Sequence, residues 1–261
     1  MKLHAWGLSD TGQKREHNED SFLVQEDLGL FAVADGMGGH QGGAQASRLA
    51  VEILEREVRR AELGDTTPSG PGDETPPAKH LRSAAQQAGR TIFELAEQES
   101  ALMGMGTTLT ALLFHCGRVY LAHVGDSRSY LYRDDRFEQL TTDHSWIEEQ
   151  VAAGLLTHEE AQLSSLRHVI TRSVGFEREV EVDLIVQPLL MGDCFLICSD
   201  GLSNYLSNDE IHGMFIGDYY SQIPRRLVDA ANDRGGDDNI TAVLVYVAND
   251  QDEEAGDEEA P

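Results

Sequence analysis

Four aspartates stand at one kind of place in the sequence, the end of an apolar, strand-like run beside glycine or a turn. The run Phe31–Ala34 stops at Asp35, and three of the next four residues are glycine. Glycine leaves the backbone open, so a carbonyl oxygen there can approach a ligand closely. Two further acids lie together in the first loop. The candidates are Asp35, Asp126, Asp200 and Asp238, with Glu19 and Asp20 in the loop.

Carboxylates gathered at one sheet edge require a cation. Buried like charges raise one another's pKa and destabilise the fold unless a positive charge neutralises them. Oxygen ligands without cysteine or clustered histidine select hard ions, so Mg²⁺ or Mn²⁺ is favoured over zinc. Two such ions sharing one carboxylate could hold a hydroxide as nucleophile. An Asp-Gly pair is also common turn chemistry, and any one of these positions alone would be interpreted as a turn.

The charge balance disfavours some classes of partner. The 261-residue chain carries 46 acidic and 20 basic residues, a formal net charge of -26. Nucleic acid and anionic membrane surfaces are therefore poor electrostatic matches. No apolar run approaches the roughly 18 residues of a membrane span, and the amino terminus lacks a signal-peptide core. Three cysteines, an odd number in a large chain, indicate a reducing compartment. We expect a cytoplasmic protein.

Hydrophobic periodicity predicts an α+β domain. Two long amphipathic helices are expected over 44–63 and 81–95, and a later helix around 227–231. Two-residue breaks at Cys116-Gly117 and Asp134-Asp135 predict hairpins and antiparallel pairing. Strand runs interleaved with grouped helices favour helices packed outside an antiparallel core. The predicted strands cover 5–9, 21–25, 31–34, 107–115, 119–124, 129–132, 137–140, 180–186, 194–198 and 240–247.

Three segments depart from this plan. The stretch 64–79 is rich in Gly, Pro, Thr, Ser and acids, and predicts a flexible excursion because proline cannot hold a helix interior or central strand. Residues 142–177 are predicted as an inserted helical flap, with a capping box at Thr157–Glu160. Residues 249–261 carry no basic residue and predict a disordered acidic tail. One domain, 1–248, remains.

Six motifs, taken in order, resemble those of the metal-dependent serine/threonine protein phosphatases of type 2C, the PPM family, in its bacterial branch. The resemblance covers nearly the whole chain apart from the excursion and the tail. Each motif alone is weak, but six in family order are highly specific. The motifs are Ser9-Asp10-Thr11-Gly12 with Arg15 and Asn18-Glu19-Asp20-Ser21; Ala34-Asp35-Gly36-Met37-Gly38-Gly39; Gly106-Thr107-Thr108; Gly125-Asp126-Ser127-Arg128; Cys198-Ser199-Asp200-Gly201-Leu202; and Gly235-Gly236-Asp237-Asp238-Asn239-Ile240-Thr241.

The resemblance implies a four-layer αββα sandwich in which two antiparallel sheets, covered by helices, hold metals at one end. It also implies two Mn²⁺ or Mg²⁺ ions per active site, with a weaker third. The implied ligands are Asp35 as a bridge, the Gly36 carbonyl, Asp200 and Asp238 for the first ion, Glu19 or Asp20 for the second, directly or through water, and Asp126 with Asp200 for the third.

The chemistry that the resemblance implies is hydrolysis of phosphoserine and phosphothreonine in proteins, without a covalent phosphoenzyme. A hydroxide bridging the two ions would attack phosphorus in line, and Arg15 would hold the phosphate through a bidentate contact. Many eukaryotic members place a histidine directly after the Asp-Gly pair, but Met37 occupies that position here. His40 is a candidate general acid, and a metal-bound water is another.

The implied partners are phosphorylated proteins, among them Ser/Thr kinases and their substrates, and we expect a monomer. The flap residues Arg167, His168 and Arg172 either meet an acidic or phosphorylated partner or belong to a solvated loop. One alternative function is a catalytically silent PPM-like domain that binds a partner or senses metal. A nuclease is another alternative, which the net charge of -26 opposes.

Overall fold

Two antiparallel β-sheets form the centre of the computed structural model, which describes residues 1–39, 41–64, 66, 74–157, 160–161, 164, 166, 168–216 and 219–249. The first sheet has the order β1 (Lys2–Asp10), β11 (Ile240–Ala248), β10 (Cys194–Cys198), β7 (Arg128–Arg133), β8 (Arg136–Gln139). The second has the order β2 (Asp20–Gln25), β3 (Leu30–Met37), β5 (Leu109–His115), β6 (Arg118–Val124), β9 (Asp183–Pro188), and β4 (Gly106–Thr107) pairs with β3.

The core between the two sheets follows from side-chain alternation along the strands. In β3, Phe31 and Val33 face the first sheet and pack in one cluster with Phe195 and Val245. Ala32, between them, faces the opposite side and belongs to a cluster formed with helices. Both faces of this strand are therefore buried, as its uninterrupted apolar run requires.

Helices cover the outer faces of both sheets. α1 (Gln41–Arg60) and α2 (Pro76–Gln98) pack on the second sheet, and α3 (Trp146–Ala152) lies in the flap. α4 (Asp200–Ser203), α5 (Asn208–Phe215) and α6 (Ile223–Asp233) pack on the first sheet. The predicted α+β sandwich of αββα type is confirmed. No helix within the described ranges combines the length and apolarity needed to cross a membrane.

The predicted excursion 64–79 extends too far at its C-terminal end. Helix α2 begins at Pro76, with Pro77 in its first turn. Proline is tolerated there because the first N–H groups of a helix have no intrahelical acceptor. Residues 65 and 67–73 of the excursion, and 250–261 of the predicted tail, lie outside the described residues.

The sequence predicted that strand β3 would end before Asp35, and this prediction is wrong. The strand continues to Met37, because Gly36 and Met37 pair with β4. The predicted strand 107–115 is instead interrupted at Thr108. The Thr108 N–H donates to the Asp35 carbonyl (2.9 Å), and the Thr108 hydroxyl accepts from the Asp35 N–H (2.9 Å). Both backbone groups of Asp35 are thus fixed by one neighbouring residue.

The predicted strand 180–186 begins three residues late, at Asp183. The preceding valines pack against the helices rather than joining the sheet, and Val180 lies beside α2. The Val182 carbonyl accepts from the Arg82 guanidinium (2.8 Å). That backbone acceptor is therefore engaged by a helix side chain.

Local sequence signals for turns and caps are confirmed. Cys116 and Gly117 have φ of 46° and 72°, and Asp134 and Asp135 have 50° and 58°, as type I′ hairpin turns require. The strands on either side of each turn pair antiparallel. The capping box expected at Thr157–Glu160 is present, and the structure has a second one at Ser207–Glu210. In each, the hydroxyl accepts from the backbone N–H of the glutamate, and the carboxylate accepts from the backbone N–H of the hydroxyl residue.

Candidate functional site

The predicted aspartates and Asp20 meet at one end of the two sheets. Asp20 in β2 lies directly opposite Asp35 in β3. Asp126 lies in the loop after β6, Asp200 opens α4 two residues after the end of β10, and Asp238 precedes β11. Burial is the largest cause of the raised pKa of Asp35, and the charges of the other four aspartates raise it further. The tertiary structure thus brings together acids from five segments of the chain.

Burial is the main cause of the raised pKa values across this group. It raises the pKa of Asp20 to about 7, with added repulsion from Asp200 and Asp238. It raises the pKa of Asp126 to about 8, with Asp200 the next cause. Burial and then the charge of Asp238 raise the pKa of Asp200. A bound cation would relieve this repulsion.

We expect the metal-free protein to lose stability as pH rises. A carboxyl whose pKa is higher in the folded state binds more protons when folded. Its stabilising contribution is full below the unfolded value of 3.8, and is lost as pH passes through about 7 for Asp20 and about 8 for Asp126. Urea unfolding in EDTA at about pH 5 and about pH 8 checks this, and a free energy of unfolding that increases over that range would contradict it.

Asp20 connects the two sheets. Its Oδ2 accepts hydrogen bonds from Ser199 Oγ (2.8 Å) and Thr241 Oγ1 (2.6 Å), both on the first sheet's side. Its Oδ1 is buried and has no hydrogen-bond partner among the described residues. One oxygen thus holds the sheets together, while the other is an unsatisfied buried acceptor, which is costly without a cation or donor.

Glu19 and Gly36 lie against the start of α1. The Gly36 N–H donates to the Glu19 carbonyl (3.2 Å). A Cβ at Gly36 would lie 2.1 Å from the Gly43 carbonyl oxygen, and a Cβ at Gly43 would lie 1.9 Å from Glu19 Oε2. A side chain at either glycine would clash, and its absence lets the Gly36 backbone and the Glu19 carboxylate both approach Gly43.

Arg15 lies at the rim of the aspartate group. Its Nη2 donates to Asp238 Oδ2 (2.7 Å), and its Nε donates to the Asp237 carbonyl (3.4 Å). The Arg15 side chain is 50% exposed. This guanidinium is therefore near the carboxylates and open to solvent, where a phosphate could reach it.

Asn239, which lies in the sixth motif, belongs to the site, although the sequence alone does not indicate its role. Its Oδ1 accepts from the Glu19 N–H (2.7 Å), and its Nδ2 donates to the carbonyls of Thr11 (2.9 Å) and His17 (3.0 Å). One amide therefore fixes the first loop, which carries Arg15 and Glu19, onto β11. Its position directly after Asp238 is the sequence feature that points to the site, but its hydrogen-bond partners lie more than two hundred residues away in the chain.

The donor set fits a hard cation. The groups are carboxylate and backbone oxygens, and they include the unsatisfied Oδ1 of Asp20. Among the residues that the structure describes, no three side chains of His, Cys, Asp or Glu are arranged closely enough to hold an ion as they stand. Asp238 is turned toward Arg15, and Asp20 toward Ser199 and Thr241.

The remaining predicted residues are the candidate general acid and the three basic residues of the flap. His40, the candidate general acid, and Arg167 lie outside the described residues. Arg172 is engaged within the protein, because its Nη1 donates to Asp183 Oδ1 (2.7 Å). His168 of the flap lies near Asp200: burial raises the pKa of Asp200, and the charge of His168 lowers it.

A groove of about 820 Å³ opens beside Asp126 and Asp200. The flap forms one wall, and the segment from α4 to α5 forms the other. Its lining is rich in carboxylates, and Arg128 is paired with Asp143 through Nη2 and Oδ2 (2.7 Å). The walls include Asp143, Ser145 and Glu148 on the flap side, and Asn204, Tyr205 and Asp209 on the other.

Comparison with known proteins agrees with this arrangement. A family model described as protein phosphatase 2C matches residues 11–244. The serine/threonine phosphatase stp of Listeria welshimeri is 36% identical over 247 residues, which cover 93% of this chain and 95% of that protein. The crystal structure of the Mycobacterium tuberculosis serine/threonine phosphatase PstP/Ppp has a TM-score of 0.86 and 35% identity, covering 95% of this chain and 100% of that chain. The catalytic domain of PstP in complex with two manganese ions has a TM-score of 0.83 and 35% identity, covering 95% and 99%.

Proposed function

Because the chain belongs to the protein phosphatase 2C family, we propose that it hydrolyses phosphoserine and phosphothreonine esters in proteins. The observation that carries this proposal is the gathering of five partly buried aspartates, one of them paired with the exposed guanidinium of Arg15, beside an open groove. Such a site combines a place for cations, a clamp for phosphate and room for a polypeptide segment. The alternative, a catalytically silent domain, is not favoured, since the relatives are named phosphatases.

Two Mn²⁺ or Mg²⁺ ions fit the oxygen donors of this site. Support comes from the raised pKa values of the carboxyls and from the two manganese ions in the related PstP structure. When bound, the ions would supply activation of water and neutralisation of phosphate charge. The residues that would hold them are Asp35, Gly36 through its carbonyl, Asp200, Asp238, and Glu19 or Asp20, with Asp126 at a weaker third site.

The chain's own residues bind and orient the substrate. Arg15 would contact two oxygens of the phosphate, since a guanidinium matches that geometry. Asn239 holds the Arg15 loop in place through the Thr11 and His17 carbonyls. Thr108 fixes the backbone of Asp35. The groove would accept the residues that flank the phosphorylated side chain.

His40 is our proposal for the proton donor to the leaving alkoxide. In the sequence it lies four residues after Gly36 and directly before Gln41. We expect His40→Asn to lower kcat for a phosphothreonine peptide far more than for p-nitrophenyl phosphate, whose leaving group needs no proton. An equal loss on both substrates would contradict this role, and a pH profile of kcat for both substrates measures it.

The physiological targets that we propose are phosphoproteins made by bacterial Ser/Thr kinases, including the kinases themselves. We also propose that the protein acts as a monomer in the cytoplasm. Three free cysteines, two of them buried, support a reducing compartment. The net charge of -26 supports protein rather than nucleic acid as the substrate class.

Phosphate release from a phosphothreonine peptide and from p-nitrophenyl phosphate tests the function. We expect turnover with added Mn²⁺ that EDTA abolishes. Mg²⁺ in place of Mn²⁺ compares the two candidate ions. Failure of the purified protein to release phosphate from either substrate with Mn²⁺ or Mg²⁺ would overturn the proposal.

A further inference from the structure

The loop that carries Asp126 depends on outside contacts for its conformation. Gly125, just before Asp126, has φ +108°, and a Cβ there would lie 2.6 Å from the Thr108 side chain. Only glycine suits this position, and glycine by itself restrains the backbone weakly. Whatever holds the Gly125 peptide groups therefore determines where the Asp126 carboxylate lies.

One residue, His144, binds both peptide groups of Gly125. The Gly125 N–H donates to His144 Nδ1 (3.0 Å), and the His144 N–H donates to the Gly125 carbonyl (2.8 Å). Because Nδ1 is an acceptor, the ring proton is on Nε2. Nε2 then faces Asp183 Oδ2 (3.2 Å), to which it donates, and Arg172 Nη1 (3.1 Å), and the same Arg172 nitrogen donates to the other oxygen of Asp183 (2.7 Å).

The His144 ring has little freedom to turn. The residue is only 8% exposed, and its ring packs against that of His123 with centroids 4.7 Å apart. His123 is fixed in turn, through Nδ1 to the Thr110 hydroxyl (2.9 Å) and Nε2 to the Thr142 carbonyl (3.1 Å). A buried ring held on both nitrogens keeps its acceptor aimed at Gly125.

The same residue joins the Asp126 loop to the flap. The Thr171 N–H donates to the His144 carbonyl (2.8 Å), and Ser145 forms a β-bridge with Ile170. His144 therefore sits where the two ends of the flap meet. We propose that His144 is a positioning residue, which holds Asp126 in place at the candidate site and connects it to the base of the flap. This inference rests on the proposed function, because it takes Asp126 as a metal ligand.

Two isosteric variants separate the two ring nitrogens. In His144→Asn the amide oxygen takes the place of Nδ1 and can still accept from Gly125, while the contact to Asp183 is lost. In His144→Gln the amide takes the place of Nε2 and can still meet Asp183, while the Gly125 N–H loses its acceptor. If His144 had only a structural role, both variants would weaken Mn²⁺ binding to the same extent.

Calorimetric titration with Mn²⁺ alone tests the inference without reference to turnover. We expect H144Q to bind the most weakly held Mn²⁺ ion about tenfold less tightly than wild type, because losing a residue that positions a metal ligand typically costs about that much affinity. The affinity of H144N for this ion should stay within about twofold of wild type. D126N should remove this weakest site. H144Q placed in the D126N background should then have no further effect on Mn²⁺ binding.

The outcomes distinguish this inference from the proposed function. Equal losses in H144Q and H144N, a loss that persists in D126N, or unchanged Mn²⁺ binding by D126N would each overturn the positioning role. Thermal unfolding in EDTA should give similar midpoints for H144Q and H144N, which excludes misfolding as the cause of a difference. Hydrolysis of p-nitrophenyl phosphate by the wild-type protein tests the proposed function separately.

Discussion

Asp35→Asn is expected to lower kcat/KM for a phosphothreonine peptide by about 1000-fold, which corresponds to about 4 kcal/mol of lost transition-state stabilisation. Asp35 is the aspartate whose pKa is raised by burial and then by the charges of four other acids. Both of its backbone groups are fixed by Thr108. The substitution keeps the shape of the side chain and removes the charge that would bridge two cations.

The same substitution is expected to stabilise the metal-free protein, by about 1 to 3 kcal/mol near neutral pH, because it removes a carboxyl that burial and then the neighbouring acids make unfavourable in the folded state. Urea unfolding in EDTA and in Mn²⁺ measures this. Wild type should gain stability from Mn²⁺, and D35N should gain far less. The matched control is Asp229→Asn, an exposed aspartate on α6, which should change neither activity nor stability. Lower stability of D35N in EDTA would contradict the proposed repulsion.

Arg15→Ala is expected to lower kcat/KM about 100-fold, and Arg15→Lys about tenfold, because lysine keeps the charge but cannot contact two phosphate oxygens at once. Arg15 is half exposed, and its present partner is Asp238 (2.7 Å). An exposed pair of this kind contributes little to stability, so both variants should unfold like wild type. Steady-state kinetics with a phosphothreonine peptide measures the effect.

Mn²⁺ binding distinguishes a phosphate clamp from a metal-site residue at this position. Neither Arg15 variant should weaken Mn²⁺ binding, since a guanidinium is not a ligand and its removal leaves Asp238 unpaired. Inorganic phosphate, as an inhibitor, should bind R15A less tightly than wild type. The control is Arg48→Ala, on the exposed face of α1. Wild-type phosphate inhibition in R15A would exclude the clamp.

Local patterns in the sequence were sufficient for most elements of the fold. Both capping boxes depend on residues three apart, and both hairpins on two adjacent residues, so they are decided within one short segment. Alternation along the strands identified the buried runs. One error has a local cause and the other a nonlocal one. Pro76 opens a helix because its first turn needs no donors, whereas β3 continues past Asp35 because β4, about seventy residues later, pairs with it.

The identity of the acids was determined by the sequence, and their division of roles was decided by the tertiary structure. Asp35, Asp126, Asp200 and Asp238 could be selected because each adjoins a strand-like run and a turn. That Asp20 joins the two sheets through Ser199 and Thr241 follows only from strands that lie far apart in the chain and meet in space.

The contacts that hold the site are nonlocal in the same way. Asn239 fixes the first loop across 220 residues, and His144 fixes Gly125 across 19. Periodicity and motif spacing report which residue types face a core or a turn, and carry no distances between segments. The sequence alone therefore determined the carboxylates and the phosphate-binding arginine as candidates. Only the packing of the two sheets decided which neighbours hold them, because those hydrogen bonds form between strand ends that folding brings together.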